Sequence, residues 1–367
     1  MKKIILAGIV AVLAIACAEK PQEKPMYTLF VGTYTDGDSE GIYAYFFDSS
    51  TGELSSKKLA AKLTNPSYLA ISEDKKNLYA VQETANFDSL GGGVTAFKLK
   101  DDILELQNSM GTQGAHPCHL SLSGDGHLAV ANYTGGNVSI FSLNEDGSLS
   151  ENPQIIDHKP LDSVKTSHAH MAQFNTDGLM VTDLGLDAVK RYNEKNGKFV
   201  PAEQYSLPFE DGAGPRHFTF GNNGKTLYVI NELNSTISVF EKDAEGNYQE
   251  VQVVPTLASD FDGESFCADI HLSPDGKFLY GSNRGENTIV IFGVDGDSGQ
   301  LELVGRELVH GDWPRNFSMD PTGEFLLVAN KKTSNIAVFK RDKENGTLIF
   351  LNETSHPNPV CLVFLGS

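Results

Sequence analysis

The sequence predicts an all-β fold, a seven-bladed β-propeller, on three observations. One unit recurs about seven times between Tyr27 and Ser367, each copy alternates apolar and polar residues at strand period, and the two chain ends hold complementary parts of one copy. The clearest copies carry a turn glycine at Gly126, Gly178, Gly224, Gly276 and Gly323, spaced by 52, 46, 52 and 47 residues. The stretches His119–Tyr133, Ile270–Arg284 and Phe317–Lys331 show the unit plainly: an apolar strand, a turn of D-G type, and a second apolar strand with a polar end. A third strand ending in Phe or Tyr and then an acidic stretch follow. A period near 50 residues with several strands per copy is the pattern of a propeller, which sets the same position of every blade around one axis.

Each blade is predicted in turn. Blade-closing strands are expected to end near Leu54, Leu104, Leu149, Phe199, Tyr248, Leu301 and Leu348, which gives seven. Val138–Phe141 and Ile336–Phe339 have the alternation of half-buried strands, and helical periodicity is absent. The first copy opens on Leu29–Thr33, a second strand with no first strand before it. The chain ends on His356–Phe364, a first strand with nothing after it. The C-terminal strand is therefore expected to complete the N-terminal blade and close the ring, which removes free sheet edges.

The expected organisation is a leader over 1–17, a tether over 18–26 and the propeller over 27–367. Met1-Lys2-Lys3 followed by an apolar run to Ala16 has the form of a signal peptide and is too short to span a bilayer. Leu13-Ala14-Ile15-Ala16-Cys17 resembles a bacterial lipoprotein signal, with Cys17 the acylated residue; Ala14 stands where Leu is most usual. The alternative is ordinary cleavage and a soluble exported protein. The polar, Pro-rich stretch after Cys17 suits a tether, and the location expected is the periplasm or the outer membrane, with membrane contact through the lipid alone. Cys118, Cys267 and Cys361 have no metal-ligand spacing and are expected to be buried small residues near inner strands.

Lys plus Arg is 29 against 48 Asp plus Glu, a net charge of −19. Such a surface repels nucleic acid and anionic lipid. Arginine is scarce, yet Arg216, Arg284 and Arg315 fall at repeat-defined positions. Each copy begins its innermost strand with a polar segment: Asn65–Tyr68, His116–His119, His168–His170, Gly214–His217, Cys267–Asp269, Trp313–Asn316 and Asn358–Pro359. A structural strand start does not need imidazole or guanidinium, and at the mouth of a common channel these groups converge. The second strands end at Glu83, Asn132, Asp183, Asn231-Glu232, Asn283-Arg284 and Asn330-Lys331. Asn132 and Asn330 read as strand caps, Glu232 and Arg284 as functional. Asp183 and Asp187 lack the clustered carboxylates that calcium needs, so neither metal nor cofactor is expected. Trp313 could stack on a sugar face or pack between blades.

These segments resemble the seven-bladed propeller lactonase family, which includes bacterial 6-phosphogluconolactonase and is similar in fold to fungal 3-carboxymuconate-lactonizing enzyme. The resemblance rests on Thr182–Gly185 with Asp187 and Tyr192, Gly214–His217 with Tyr228 and Asn231–Leu233, Ala268–Gly276 with Ser282–Gly285, and Pro314–Asn316 with Val328–Asn330, and it covers Thr28 to Phe364. It implies a catalytic set of His170, Arg216, Glu232 and Arg284. His119, His168, His217, Asp269, Arg315 and Asn316 are the candidates for substrate binding. Lactone hydrolysis needs a base to activate water and donors for the oxyanion. His170 or Glu232 could be the base: a neutral His170 suits pH 7 without tuning, and Glu232 between two arginines has a lowered pKa. The functions in view are a hydrolase for a sugar-acid lactone, an anionic one in particular, a non-catalytic ligand-binding propeller of the cell envelope, and a cycloisomerase acting on a muconate-type acid.

Overall fold

A computed structural model describes residues 26–100, 102–221 and 224–366. The expected leader over 1–17 with Cys17, and the tether before Met26, lie outside the described residues. Seven four-stranded antiparallel meanders form the ring. Blade 1 orders its strands as Pro359–Leu365, Met26–Thr33, Gly41–Asp48 and Glu53–Lys62, from the axis outward. The C-terminal strand therefore supplies the innermost strand of the N-terminal blade, in a register that pairs Thr28 with Leu365 and Val31 with Leu362. Blades 2 to 7 span residues 69–111, 117–157, 169–208, 215–255, 266–308 and 314–355.

The turn between the first two strands needs glycine where the backbone is left-handed, as at Gly276 (φ +70°) and Gly323 (φ +65°). In six blades the segment expected to end the blade instead begins its fourth strand, as at Glu53, Leu301 and Leu348; in blade 3 Leu149 precedes that strand, Gln154–Asp157. The fourth strands are polar on their solvent side, so alternation in them is weak and the sequence shows three strands per copy more clearly than four.

The core is divided by the ring. Among the described residues, seven apolar clusters each join two adjacent blades. The seam between blades 7 and 1 sets Phe325, Leu327 and Val338 against Tyr45, Phe47, Leu362 and Phe364. Polar clamps repeat along the outer seams, because a side-chain amide can meet both a carbonyl and an N–H of the next blade. Gln154 does so at Phe199 (2.7 and 2.9 Å), Gln204 at Tyr248 (2.8 and 2.7 Å) and Gln252 at Leu301 (2.9 and 2.8 Å). Gly346 (φ +77°) brings the blade 7 turn so close to blade 6 that an added Cβ would lie 2.3 Å from the Phe278 ring. Cys118, Cys267 and Cys361 are buried and free, as expected.

Deleting Val360 to Ser367 removes Leu362 and Phe364 from one seam and Cys361 from the next, and it leaves the edge of Met26–Thr33 unpaired. The truncated chain should give no cooperative thermal transition and should accumulate as aggregate. A soluble product with an unchanged Tm contradicts closure by this strand.

Candidate active site

In six of the seven blades the innermost strand opens on a register slip, at Val360 in blade 1 and as follows in blades 3 to 7, and the slip re-aims a side chain. Pairing jumps from Pro117 to His119, from Ala169 to Met171, from Pro215 to His217, from Cys267 to Ile270 and from Pro314 to Asn316. The extra residues are Cys118, His170, Arg216, Ala268 with Asp269, and Arg315. A β-bulge of this kind bends the strand and re-aims the unpaired residue. In the approaches to five innermost strands the residue before proline is left-handed: Asn65 (φ 45°), His116 (54°), Gly214 (65°), Trp313 (69°) and Asn358 (45°). Such strain in a non-glycine residue persists only where its surroundings over-determine it, and it gathers at functional sites.

A second ring comes from the residue that follows the second strand. The N–H of Tyr34, Glu83, Tyr133, Leu184, Glu232 and Lys331 each donates to the carbonyl of a residue leading into the innermost strand of the same blade (Asn358, Asn65, His116, His168, Gly214 and Trp313), at 2.7 to 3.2 Å. Arg284 takes the equivalent place in blade 6, paired with Phe266. One side chain per blade is thereby fixed around the channel mouth.

Glu232 sits between two arginines. Its Oε2 lies 2.9 Å from Nε of Arg216, an ion pair outside hydrogen-bond alignment, and 2.8 Å from Nη2 of Arg284. Nη1 of Arg216 also donates to the Ala268 carbonyl (2.5 Å), and Arg284 donates to the Phe266 and Cys267 carbonyls (3.1 and 2.8 Å). Nη2 of Arg216, Nη1 of Arg284 and Oε1 of Glu232 make no hydrogen bond among the described residues. Burial pushes the Glu232 carboxyl up, but Arg284, Arg216 and Arg315 outweigh it and hold the pKa below the usual value. Arg284 also stands 5.2 Å over the Trp313 ring, with Lys332 at 3.6 Å, so Trp313 is a cation-stacking wall of the mouth.

His170 is 4% exposed, with its ring 5.2 Å from that of His217 and 5.6 Å from Tyr133. Its Nδ1 is buried without a partner. Burial, then Arg216, His217, Arg315 and Arg284, hold its pKa well below the ordinary histidine value. The expectation that His170 is neutral at pH 7 without tuning is corrected: it is neutral, but strongly tuned toward weaker basicity.

The other candidates separate by depth. Arg315 reaches the mouth, with Nη2 3.7 Å from Oε2 of Glu83. His168 stacks on Tyr133 at 4.5 Å and donates from Nδ1 to its carbonyl (3.1 Å). His119 packs on Tyr68 at 4.2 Å, its Nδ1 unpartnered. His217, Asp269 and Asn316 are buried and bonded to one another. His217 Nδ1 donates to Oδ1 of Asp269 (2.8 Å), while its Nε2 accepts from Arg216 (3.3 Å). Asn316 and His271 donate to Oδ2 of Asp269 at 2.5 and 3.0 Å. Burial and Arg216 bring the His217 pKa down to about 4, so it serves as a neutral link. Asp183 accepts from His158, Ser167 and the His168 N–H, and Asp187 from Lys165 and the Gly212 and Gly214 N–H groups; both hold strand starts in place.

The candidate set left out Tyr34, Glu83, Tyr133 and Lys331. Glu83 and Lys331 were visible as strand-end residues; Tyr34 and Tyr133 hold the same repeat position, which is the signal that could have found them. Two surface clefts, of about 490 Å³ beside Asp177 and Phe199 and about 640 Å³ beside Lys277 and Leu301, lie at the opposite, turn side. Neither is lined by a histidine, arginine or cysteine, so chemistry and not size picks out the mouth.

The family described as Lactonase, 7-bladed beta-propeller matches residues 28–364. A 6-phosphogluconolactonase of Bacillus subtilis is 38% identical over 349 residues, 92% of this chain and 98% of the relative. Among solved structures, a putative 6-phosphogluconolactonase from Bacteroides fragilis superposes with a TM-score of 0.85 at 35% identity, covering 94% of this chain and 99% of that one. A periplasmic gluconolactonase of Pseudomonas aeruginosa gives 0.87 at 34% identity, covering 93% and 99%.

Replacing Glu232 by Gln leaves two buried guanidinium groups without their counter-charge and should cost about 3 kcal/mol at pH 7 by urea unfolding. The Glu232 pKa is depressed on folding, so its contribution is complete above the unfolded value near ~4.3 and is lost as the pH falls through the folded one. The gap between wild type and E232Q should therefore close on acidification below that point. A gap independent of pH contradicts the ion-paired assignment.

Proposed function

We propose that this chain, which belongs to the seven-bladed β-propeller lactonase family, hydrolyses a sugar-acid lactone at the channel mouth through His170, Arg216, Glu232 and Arg284. It is a lactone hydrolase of the 6-phosphogluconolactonase type. The observation that carries the residue assignment is the Glu232 carboxylate bridging two buried arginines beside an imidazole with an unpartnered nitrogen.

His170 accepts a proton from water, and the resulting hydroxide attacks the lactone carbonyl carbon. The negative oxygen of the tetrahedral intermediate forms within reach of Arg216 Nη2 and Arg284 Nη1, the donors left open by the protein's own hydrogen bonds. Such a donor contributes about 3 kcal/mol to the transition state. The ring C–O bond then breaks, and the leaving alkoxide takes the proton back from His170 to give the open-chain hydroxy acid. Glu232 holds the two guanidinium groups in place and lets them share a buried site without mutual repulsion. The low pKa of His170 makes it a weak base, which fits an activated ester such as a lactone. Arg216, Arg284, Arg315 and Lys331 against Glu83 and Glu232 leave the mouth positive on a chain of net charge −19, which favours a lactone bearing a negative group.

Export with a lipid on Cys17 is the proposed location. It is supported by the leader-like N-terminus and by the likeness to a gluconolactonase described as periplasmic. A phosphorylated sugar lactone is made inside the cell, so a substrate met outside it is a sugar lactone or a carboxylated lactone.

Two measurements test these readings. The protein given 6-phosphogluconolactone, gluconolactone and carboxymuconate, with spontaneous hydrolysis subtracted, should open a lactone, and His170→Ala should lower kcat/KM by about 10²–10⁴-fold. A base whose folded pKa is depressed stays neutral as the pH falls, so kcat/KM should show no acid limb near 6.5. No rate above background on any of the three points to a binding propeller, and turnover of carboxymuconate alone points to a cycloisomerase. Labelled palmitate fed to producing cells should mark the wild type and not Cys17→Ser; persistent labelling of the variant removes that site.

A further inference from the structure

Arg315 is the unengaged member of the arginine set. The guanidinium groups of Arg216 and Arg284 are tied to backbone carbonyls and to Glu232. Arg315, its side chain 16% exposed, makes no hydrogen bond among the described residues; it has only the 3.7 Å approach of Nη2 to Glu83 and a place 5.3 Å from the centre of the Tyr34 ring. None of its guanidinium nitrogens is fully buried, so its N–H donors are open to solvent or to a ligand's acceptors. A second cation shares the same ring: Nζ of Lys331 lies 4.9 Å from its centre, and among the described residues no carboxylate stands within ion-pair distance of it.

The nearby carboxylate is already committed. Oε2 of Glu83 accepts from the Tyr34 hydroxyl (2.8 Å) and from the Ser67 hydroxyl. Glu83 thus fixes the Tyr34 ring under the two cations and offsets at most one of them. Arg315 is the bulged residue of blade 7, Lys331 is the second-ring residue of that blade, and Tyr34 is the second-ring residue of blade 1. The cluster lies at the seam where the propeller closes, whereas His170, Arg216, Glu232 and Arg284 come from blades 4, 5 and 6.

We infer that Arg315 and Lys331, seated over Tyr34, form an anion subsite for a phosphate or carboxylate substituent of the ligand, remote from the carbonyl that meets Arg216 and Arg284. The planar guanidinium supplies a two-pronged contact to either oxyanion and the ammonium a point charge. Calling that ligand a substrate rests on the lactonase reading; the subsite itself does not.

The test uses the full-length chain and its Arg315→Gln and Lys331→Gln variants. Rates are measured on 6-phosphogluconolactone, on a glucarolactone carrying a free carboxylate, and on neutral gluconolactone. The kcat/KM of the anionic substrates relative to gluconolactone should fall about tenfold in each variant, the size of one lost charge-assisted contact. The phosphate and carboxylate arms tell which anion the subsite prefers. A ratio unchanged in both variants overturns the inference. Calorimetric titration with 6-phosphogluconate covers the case in which the wild type hydrolyses nothing. Weaker binding by Lys331→Gln, which alters a side chain at the mouth and not in a seam cluster, upholds the subsite while the lactonase reading fails. Equal binding by wild type and both variants, or none by any of them, overturns the subsite.

Discussion

The pairing of Pro359–Leu365 with Met26–Thr33 is the constraint on which the rest of the molecule depends. Without it the array is open, with an unpaired strand at one end and an unpacked blade face at the other. With it, every blade has two neighbours and each of the seven apolar clusters is a shared seam. Closure also gives the channel its chemistry. Tyr34 of blade 1 bonds to Glu83 of blade 2, and it meets the cations of blade 7 only because first and last blades are adjacent.

The site concentrates charge in a place that disfavours charge, and its arrangement shows how that cost is met. A buried guanidinium without partners would shift or unfold its surroundings. Arg216 and Arg284 escape this by sharing one carboxylate oxygen and by binding the carbonyls exposed where the blade 6 strand slips register. Beneath them, His217 links Arg216 to Asp269, whose carboxylate is held by Asn316 and His271 as well. The same low dielectric that makes the ring expensive makes its remaining donors strong toward a developing oxyanion. It also explains His170: removed from water and surrounded by cations, its imidazole has little to gain from a proton.

Much of this was legible along the chain. Repeat spacing located the inner strand starts, so Arg216, His170 and Arg315 could be named as axial candidates, and aligned second-strand ends pointed to Glu232 and Arg284. The conversion of those starts into bulges was not legible, because a register slip depends on how two strands pair and leaves no mark in composition. The fourth strands were hard to see because their alternation is diluted by solvent-facing residues. His158, 0% exposed and bonded to both Asp183 and Tyr192, gave no sign of its role; its partners lie in the next blade.

The sequence by itself determined the blade count, the closing strand and the residue types gathered at the axis, because periodicity and turn chemistry are local and repeat with every copy. Only the tertiary structure decided which of those residues face one another, which are spent on holding the scaffold, as Asp269 and Asn316 are, and which keep donors in reserve, as Arg315 does. Those outcomes depend on distances across a closed ring and on the low dielectric within it, and both arise only once the last strand has joined the first.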